Sequence, residues 1–474
     1  MDRILTTVVL TIMCGIVVVI CRKPLTCTDD ELVIKKVHVL LAAAYGLVIT
    51  FIYFKNYFSG KSSSFFAYFL MMTPCILFSY PLQILKYYKY EGPINLLIIA
   101  MNLTTMALIF FYRLGLVITT GALAKITGLS VVPVALSYLI YSVCAMAMLT
   151  FLLASHKLRI FFDWVEHTSR LWMWGTASLI FIMLPFFLGV KTGQSNLGLM
   201  KSSMQTADFV FKILFVISIA KILSVQEHLL RLDVVSPLKR LKAIVYMSLY
   251  SGLCFIAPLI LFQRELGTPL LMYGFFLLML TFTSRRWFIF PAGIMGISSI
   301  IGIAMVISNH VQARIIGSWL NWREWAFKAY EGTEAWAGWQ PFQALSGIRA
   351  ANVWGTGITG GNPHIYSITN DFVAVGICEE WGILGFLIIV LSFFYFIWVA
   401  FRHFLAPDFT GLTILGLAVV LFLQGFFNLS ATLMMLPITG TPLPFVSNSG
   451  VCIIVSYLVI AMMMFLQQSR ERSH

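Results

Sequence analysis

Long uninterrupted apolar runs constrain this chain more than any other feature of its sequence. The clearest run covers residues 288–307, and comparable runs recur along all 474 residues. A membrane-spanning helix needs about 20 predominantly apolar residues, whereas the strands of a membrane β-barrel alternate apolar and polar residues. The sequence therefore predicts an all-α polytopic membrane protein.

Composition supports this class and excludes others. Apolar residues make up 59% of the chain and charged residues 11%, which excludes a soluble globular enzyme, a disordered chain and a disulfide scaffold. The net charge is +13. In a membrane protein such an excess usually anchors cytoplasmic loops to the inner leaflet. We therefore expect contact with membrane lipids and no nucleic-acid partner.

About thirteen transmembrane helices are predicted, two of them from short runs that tilt, break or extend into polar turns. The predicted spans are 4–20, 37–54, 65–85, 94–112, 129–153, 172–190, 209–223, 243–262, 268–283, 288–307, 382–401, 411–436 and 449–466. Most short basic loops fall on one side if Arg470 and Arg472 are cytoplasmic. The positive-inside rule then places the C-terminus in the cytoplasm and the long polar segment 308–381 outside.

Five polar interruptions fall on the predicted outer side of the membrane. They are 205–212, 263–268, 308–364, 370–380 and 437–450. Irregular backbone at membrane depth is tolerated only where protein or a water-filled cavity covers it. Because all five interruptions lie on the same side, we predict one polar cavity that opens outward. Each interruption by itself is also compatible with a structural loop. The tryptophan-rich part of 308–381 fits an interfacial belt, a lid over an active site, or both.

At these same segments the chain resembles the SEDS family (shape, elongation, division and sporulation), over roughly residues 94–466. The family's QPSE-x-x-K stretch resembles Gln205–Asp208 with Lys212, and its QPDLGT turn resembles Gln263–Thr268. Its GYQ-x-x-Q and WGxG stretches resemble Gly338–Leu345 and Trp354–Gly357. Its HTDFIFA-x-x-x-EELG block resembles Thr369–Ala374 with Glu379–Gly382, and its PLPF-x-S turn matches Pro442–Ser447, after Asn428 and Pro437–Gly440.

The resemblance implies a ten-helix core in 94–474, preceded by about three extra transmembrane helices in 1–93. It also implies a peptidoglycan glycosyltransferase of the bacterial cytoplasmic membrane. Such a protein polymerises lipid II, an undecaprenyl-linked disaccharide-pentapeptide, on the outer face of the membrane. Its usual partner is a class B penicillin-binding protein, a transpeptidase that cross-links the new glycan.

The catalytic carboxylate departs from the family pattern. The family's catalytic Asp lies in the large outer loop, but no Asp occurs between residues 234 and 370 of this chain. Glycosyl transfer needs a base for the acceptor hydroxyl, and a Glu can serve. Counting back from Trp339 favours Glu334, whereas counting forward from Arg314 favours Glu324, so both remain candidates.

Other residues take supporting roles by the same resemblance. Lys212, Arg314 and Arg349 are candidates for binding phosphate or pyrophosphate. Four acids are candidates for orienting these cations or holding a divalent ion such as Mg²⁺ or Mn²⁺, namely Asp208, Glu265, Asp371 and Glu379. The remaining motif residues expected at the substrate site are Gln263, Gln343, Thr439 and Ser447. No other cofactor is indicated.

Two alternatives stay open. The missing loop Asp favours a non-catalytic scaffold of a cell-wall complex. A lipid-linked-oligosaccharide transporter, or an O-antigen polymerase or ligase, is also polytopic with large outer loops. Arg314, Arg349 and His364 suit this class, because such polymerases and ligases tend to use loop Arg and His.

Overall fold

The computed structural model describes most of the chain, with gaps. The described residues are 2–22, 25–26, 31–58, 79–88, 90–119, 132–155, 157–167, 210–225, 238, 241, 245, 267–307, 312, 315–316, 336–365, 367–404, 408–438 and 440–472. Their secondary structure is helical apart from turns and one isolated bridge between Thr26 and Pro93.

The helices are numbered in chain order. They are α1 (Asp2–Arg22), α2 (Glu31–Phe58), α3 (Ser79–Tyr87), α4 (Asn95–Thr119), α5 (Val132–Ala154), α6 (Lys157–His167), α7 (210–225), α8 (Gly267–Ser284), α9 (Ile289–Ile307), α10 (Trp336–Ala350), α11 (Val373–His403), α12 (Phe409–Thr432) and α13 (Gly450–Glu471).

Among the described residues, 7 helices are long and apolar enough to cross a membrane, which confirms the all-α polytopic class. They are α1, α2, α4, α5, α11, α12 and α13, and the shorter α8 and α9 are also apolar. The predicted span at 172–190, all of 243–262 except residue 245, and most of 65–85 lie outside the described residues. The total of thirteen spans is consistent with these helices.

The chain divides into two compact units. The first contains Met1–Leu158, Gln340–Tyr395 and Pro442–His474. Its centre is α4, whose apolar stretch Asn95–Leu114 is fully buried, because α1, α2, α5 and α13 pack against it. A helix enclosed in this way has to be apolar on every face. Helix α4 is apolar over most of its surface.

The second unit contains Arg159–Trp339 and Phe396–Thr441. Its main contact joins α8 to α12. Phe215 of α7 packs edge-on against Phe275 of α8, with ring centroids 5.8 Å apart. Gly416 of α12 faces Val216, and a Cβ there would lie 2.9 Å from that valine's Cγ1. The small residue lets α7 and α12 approach closely.

Candidate active site

Helix α11 is broken near its start, and the break organises the polar residues of the first unit. Gly382 has φ 72° and ψ −174° inside the helix. This conformation is available almost only to glycine, and a Cβ at Gly382 would collide with the carbonyl oxygen of Val353. The break frees the carbonyl groups of Glu379 and Glu380 from the helical hydrogen-bond ladder.

A glycine-rich loop, residues 355–361, satisfies the freed carbonyl groups. The backbone N–H and hydroxyl of Thr356 both donate to the carbonyl oxygen of Glu379, at 2.9 and 3.0 Å. The N–H of Gly357 donates to the carbonyl oxygen of Glu380 at 3.0 Å. A Cβ at Gly355 would collide with that same oxygen, so glycine permits the close approach of the two backbones.

The carboxylate of Glu379 lies just beneath this loop. The residue is 6% exposed, and its Oε2 accepts a hydrogen bond from the backbone N–H of Asn362 at 2.9 Å. Helix α10 passes beside this carboxylate. A Cβ at Gly347 of that helix would lie 3.8 Å from the same oxygen. Helix α11 begins at Val373, so Glu379 lies within the helix while Asp371 precedes it.

Arg113 is a buried cation that the sequence analysis did not single out. Its Nη1 lies 2.6 Å from Oε1 of Glu380, with the two side chains 2% and 0% exposed. Its Nη2 also donates to the carbonyl oxygen of Gly361. Arg113 therefore ties α4 both to the broken helix and to the loop that covers it. An ionisable residue inside an apolar span is the pattern that could have revealed it.

The turn before α13 joins the same cluster. The hydroxyl of Ser447 donates to the carbonyl oxygen of Asn370 at 2.6 Å and accepts from the N–H of Leu443 at 2.7 Å. The N–H of Asn448 donates to the carbonyl oxygen of Thr369 at 2.9 Å. The segments 369–370 and 443–448 are thus cross-linked by backbone and hydroxyl groups.

Phe445 holds this turn in a strained conformation. Its φ is 64°, which is unusual for a bulky residue. The hydroxyl of Tyr138 donates to its carbonyl oxygen, and its ring packs edge-on against Tyr457 with centroids 5.4 Å apart. Strained residues of this kind cluster at functional sites, where surrounding contacts hold them in place.

The other predicted site residues differ in solvent exposure, and several of them lie outside the described residues. Arg349 is exposed in the last turn of α10, Gln343 and Asp371 are partly buried, and His364 is exposed. Lys212 is 3% exposed on α7, in the second unit. The remaining predicted site residues lie outside the described residues: Glu324, Glu334, Arg314, Asp208, Gln263, Glu265 and Thr439.

The predicted divalent cation has no complete ligand set among the described residues. No three His, Cys, Asp or Glu side chains lie close enough there to hold a metal ion. Asp208 and Glu265, two of the expected ligands, fall in the gaps of the structure. The metal site therefore stays a prediction.

Comparison with known families identifies the core. Residues 93–472 match the family model of the cell cycle proteins FtsW, RodA and SpoVE. The chain belongs to this family. Membership confirms the SEDS resemblance and a multi-pass membrane protein, and the motifs gathered around the α11 break are those that carried the resemblance.

The relatives of this chain share only low sequence identity with it. The peptidoglycan glycosyltransferase RodA of Mycobacterium bovis is 24% identical over 314 residues, which cover 63% of this chain and 64% of the relative. The match thus spans just under two thirds of that relative's length. RodA of Mycobacterium leprae is 24% identical over 412 residues, covering 83% of this chain and 82% of the relative.

A solved structure shares the fold of this family member. It comes from a peptidoglycan synthase complex in which polymerization and crosslinking are coordinated. The match has a TM-score of 0.51 and 16% identity, and it covers 80% of this chain and 99% of the other.

Proposed function

We propose that this protein is a peptidoglycan glycosyltransferase that polymerises lipid II at the outer face of the bacterial cytoplasmic membrane. Residues 94–474 form the catalytic core, and 1–93 are an extension of extra transmembrane helices. The segment 308–381 faces outward and the C-terminus is cytoplasmic, as the distribution of basic residues favours.

One observation carries the proposal. Three motif regions that are far apart in sequence are hydrogen-bonded together: 354–362, 369–380 and 442–448. Independent helix-end clusters would not be expected to form one hydrogen-bonded group at the segments that carry the family resemblance. Here they converge on a helix break, a strained turn and two buried carboxylates, a combination typical of functional sites in membrane proteins.

The chemistry requires a base and a stabilised leaving group. The acceptor sugar hydroxyl attacks the anomeric carbon of the donor, the bond from that carbon to pyrophosphate oxygen breaks, and undecaprenyl pyrophosphate departs. Glu334 or Glu324 accepts the hydroxyl proton. Lys212, Arg314 and Arg349 offset the charge that develops on the pyrophosphate.

In this proposal Asp208, Glu265, Asp371 and Glu379 orient these cations, with or without a divalent ion. Glu379 is the best defined of them, since a backbone N–H fixes one of its oxygens. Gln263, Gln343, Thr439 and Ser447 complete the substrate site in this proposal. The partner is a class B penicillin-binding protein, which cross-links the glycan as it is made. The solved complex of polymerization and crosslinking supports this pairing by analogy.

The test is polymerisation of lipid II by the purified full chain in lipid nanodiscs, with and without a class B penicillin-binding protein. We expect glycan strands on gels, and release of undecaprenyl pyrophosphate in proportion. Glu334→Gln or Glu324→Gln should abolish both products. Glu331→Gln, in the same loop, is the matched control and should retain activity.

Two outcomes would contradict parts of the proposal. If the Glu334 and Glu324 variants both polymerise normally, neither residue is the base. If the wild-type chain binds the transpeptidase but forms no polymer, it is the non-catalytic scaffold, which the absence of an Asp between residues 234 and 370 favours.

A further inference from the structure

The helices before the family core contact the glycine-rich loop 355–361. The hydroxyl of Thr359 donates to Oδ2 of Asp2 at 2.7 Å, and the ammonium of Lys55 donates to both of these groups. The N–H of Ile358 donates to the hydroxyl of Thr6 at 3.3 Å. A Cβ at Gly357 would lie 2.8 Å from Cβ of Asp2, so the loop lies directly against the start of α1.

The opposite end of the same two helices is also anchored to the core. Asn95, the first residue of α4, accepts the N–H of Leu25 at 2.6 Å and donates to the carbonyl oxygen of Ile20 at 2.9 Å. Its amide also donates to the hydroxyl of Tyr395 on α11 at 2.9 Å. The connection between α1 and α2 is therefore fastened to α4 and α11, and the pair is held at both ends.

The loop that these helices contact is the one that supports the α11 break. Thr356 and Gly357 bond the carbonyl groups of Glu379 and Glu380, and Asn362 bonds the Glu379 carboxylate. A displacement of the loop would therefore change the position of that carboxylate.

We infer that residues 2–58 form a positioning element that holds loop 355–361, and through it the Glu379 carboxylate, in its place in the site. This inference rests on the proposed function. It assigns a role to helices that lie outside the region matched by the family model, residues 93–472. Thr6, Asp2 and Lys55 are its positioning residues.

The hydrogen bond from the N–H of Ile358 to the hydroxyl of Thr6 is the contact best suited to test this inference. The Asp2 and Lys55 side chains are 27% and 40% exposed, and surface ion pairs contribute little. Thr6 and Ile358 are both 0% exposed, so removal of the hydroxyl leaves a buried N–H without its acceptor, which is costly. Thr7 is a matched neighbour, because its hydroxyl donates to the carbonyl oxygen of Arg3 within its own helix, at 2.8 Å.

The first experiment is hydrogen exchange by mass spectrometry on the full chain in nanodiscs. Thr6→Val should speed exchange of the Ile358 and Asn362 amides by about tenfold. Thr7→Val should leave both rates unchanged, and Thr6→Ser, which keeps the hydroxyl, should restore them. An unchanged rate at Ile358 in Thr6→Val, or a faster rate there without one at Asn362, overturns the inference.

The second experiment separates positioning from simple destabilisation. Fewer folded molecules would lower kcat and leave KM unchanged. A displaced Glu379 should instead raise the KM for lipid II by about fivefold in Thr6→Val, while Thr7→Val and Thr6→Ser match the wild type. An unchanged KM overturns the inference. If the wild-type chain makes no polymer, the proposed function fails, and the exchange rates still decide whether the helices hold the loop.

Discussion

Nη1 of Arg113 and Oε1 of Glu380 lie 2.6 Å apart and are shielded from solvent by the surrounding helices. The pair joins the central helix of the first unit to the broken helix α11. Both charges are desolvated, so each depends on the other for its stability. Removal of either partner should therefore be strongly destabilising.

Arg113→Gln should destabilise the protein by about 3–5 kcal/mol, because it leaves the buried Glu380 carboxylate without its partner. The double variant Arg113→Met with Glu380→Leu should recover much of this loss, since well-packed apolar residues often replace a buried pair without cost. The free energy of unfolding, measured by denaturant titration in mixed micelles, checks both.

The control for this comparison is Arg159→Gln. Arg159 pairs with Asp163 at 3.8 Å, and the side chains are 68% and 62% exposed. Such a pair on one helix contributes at most about 0.5 kcal/mol. Equal losses for the Arg113 and Arg159 variants would contradict the burial argument.

Gly382→Ala should destabilise the protein by at least about 1–3 kcal/mol, because only glycine adopts its backbone conformation without strain. The collision with Val353 adds to this cost. Exchange of the Thr356 and Gly357 amides should quicken as the break deforms. Gly302→Ala, in helix α9 with open space around the site, should be neutral or stabilise by up to about 1 kcal/mol. A Gly382 variant as stable as this control would show that the break is not required.

Ser447→Ala should destabilise the protein by about 1–3 kcal/mol, since it leaves the buried N–H of Leu443 without its acceptor. Lipid II polymerisation should fall with it, because the hydroxyl also links the turn to Asn370. Ser346→Ala is the matched control. The hydroxyl of Ser346 is exposed and donates to the carbonyl oxygen of Gln343 at 2.8 Å, so its loss should stay within about 0.5 kcal/mol. Wild-type stability in the Ser447 variant would argue against the cross-link between the two segments.

The fold class could be predicted from the sequence because apolar run length is set by bilayer thickness. Runs such as 94–112 and 449–466 correspond to α4 and α13. The start of α11 could not be placed in the same way. Glu379 and Glu380 interrupt the apolar pattern, yet they are helical, because Arg113 and the N–H of Asn362 compensate their charge.

Part of the candidate site was also accessible from sequence. The motifs around Trp354, Glu379 and Ser447 indicated where polar groups would gather. Arg113 was missed because the predicted span ended at residue 112, although the apolar run continues over 114–118 and places this arginine inside the span. Gly355 and Gly361 approach the broken helix so closely that a Cβ at either position would collide with Glu380. This role depends on contacts between distant segments, which the sequence pattern does not show.

The enclosure of α4 limits how other proteins can join this one. Helices α1, α2, α5 and α13 all pack against α4, and its apolar stretch Asn95–Leu114 is fully buried. A membrane anchor of another protein therefore cannot reach α4 without first displacing one of its neighbours. A partner that joins the first unit within the bilayer must instead use the outer faces of the helices around α4, which also shield it from lipid.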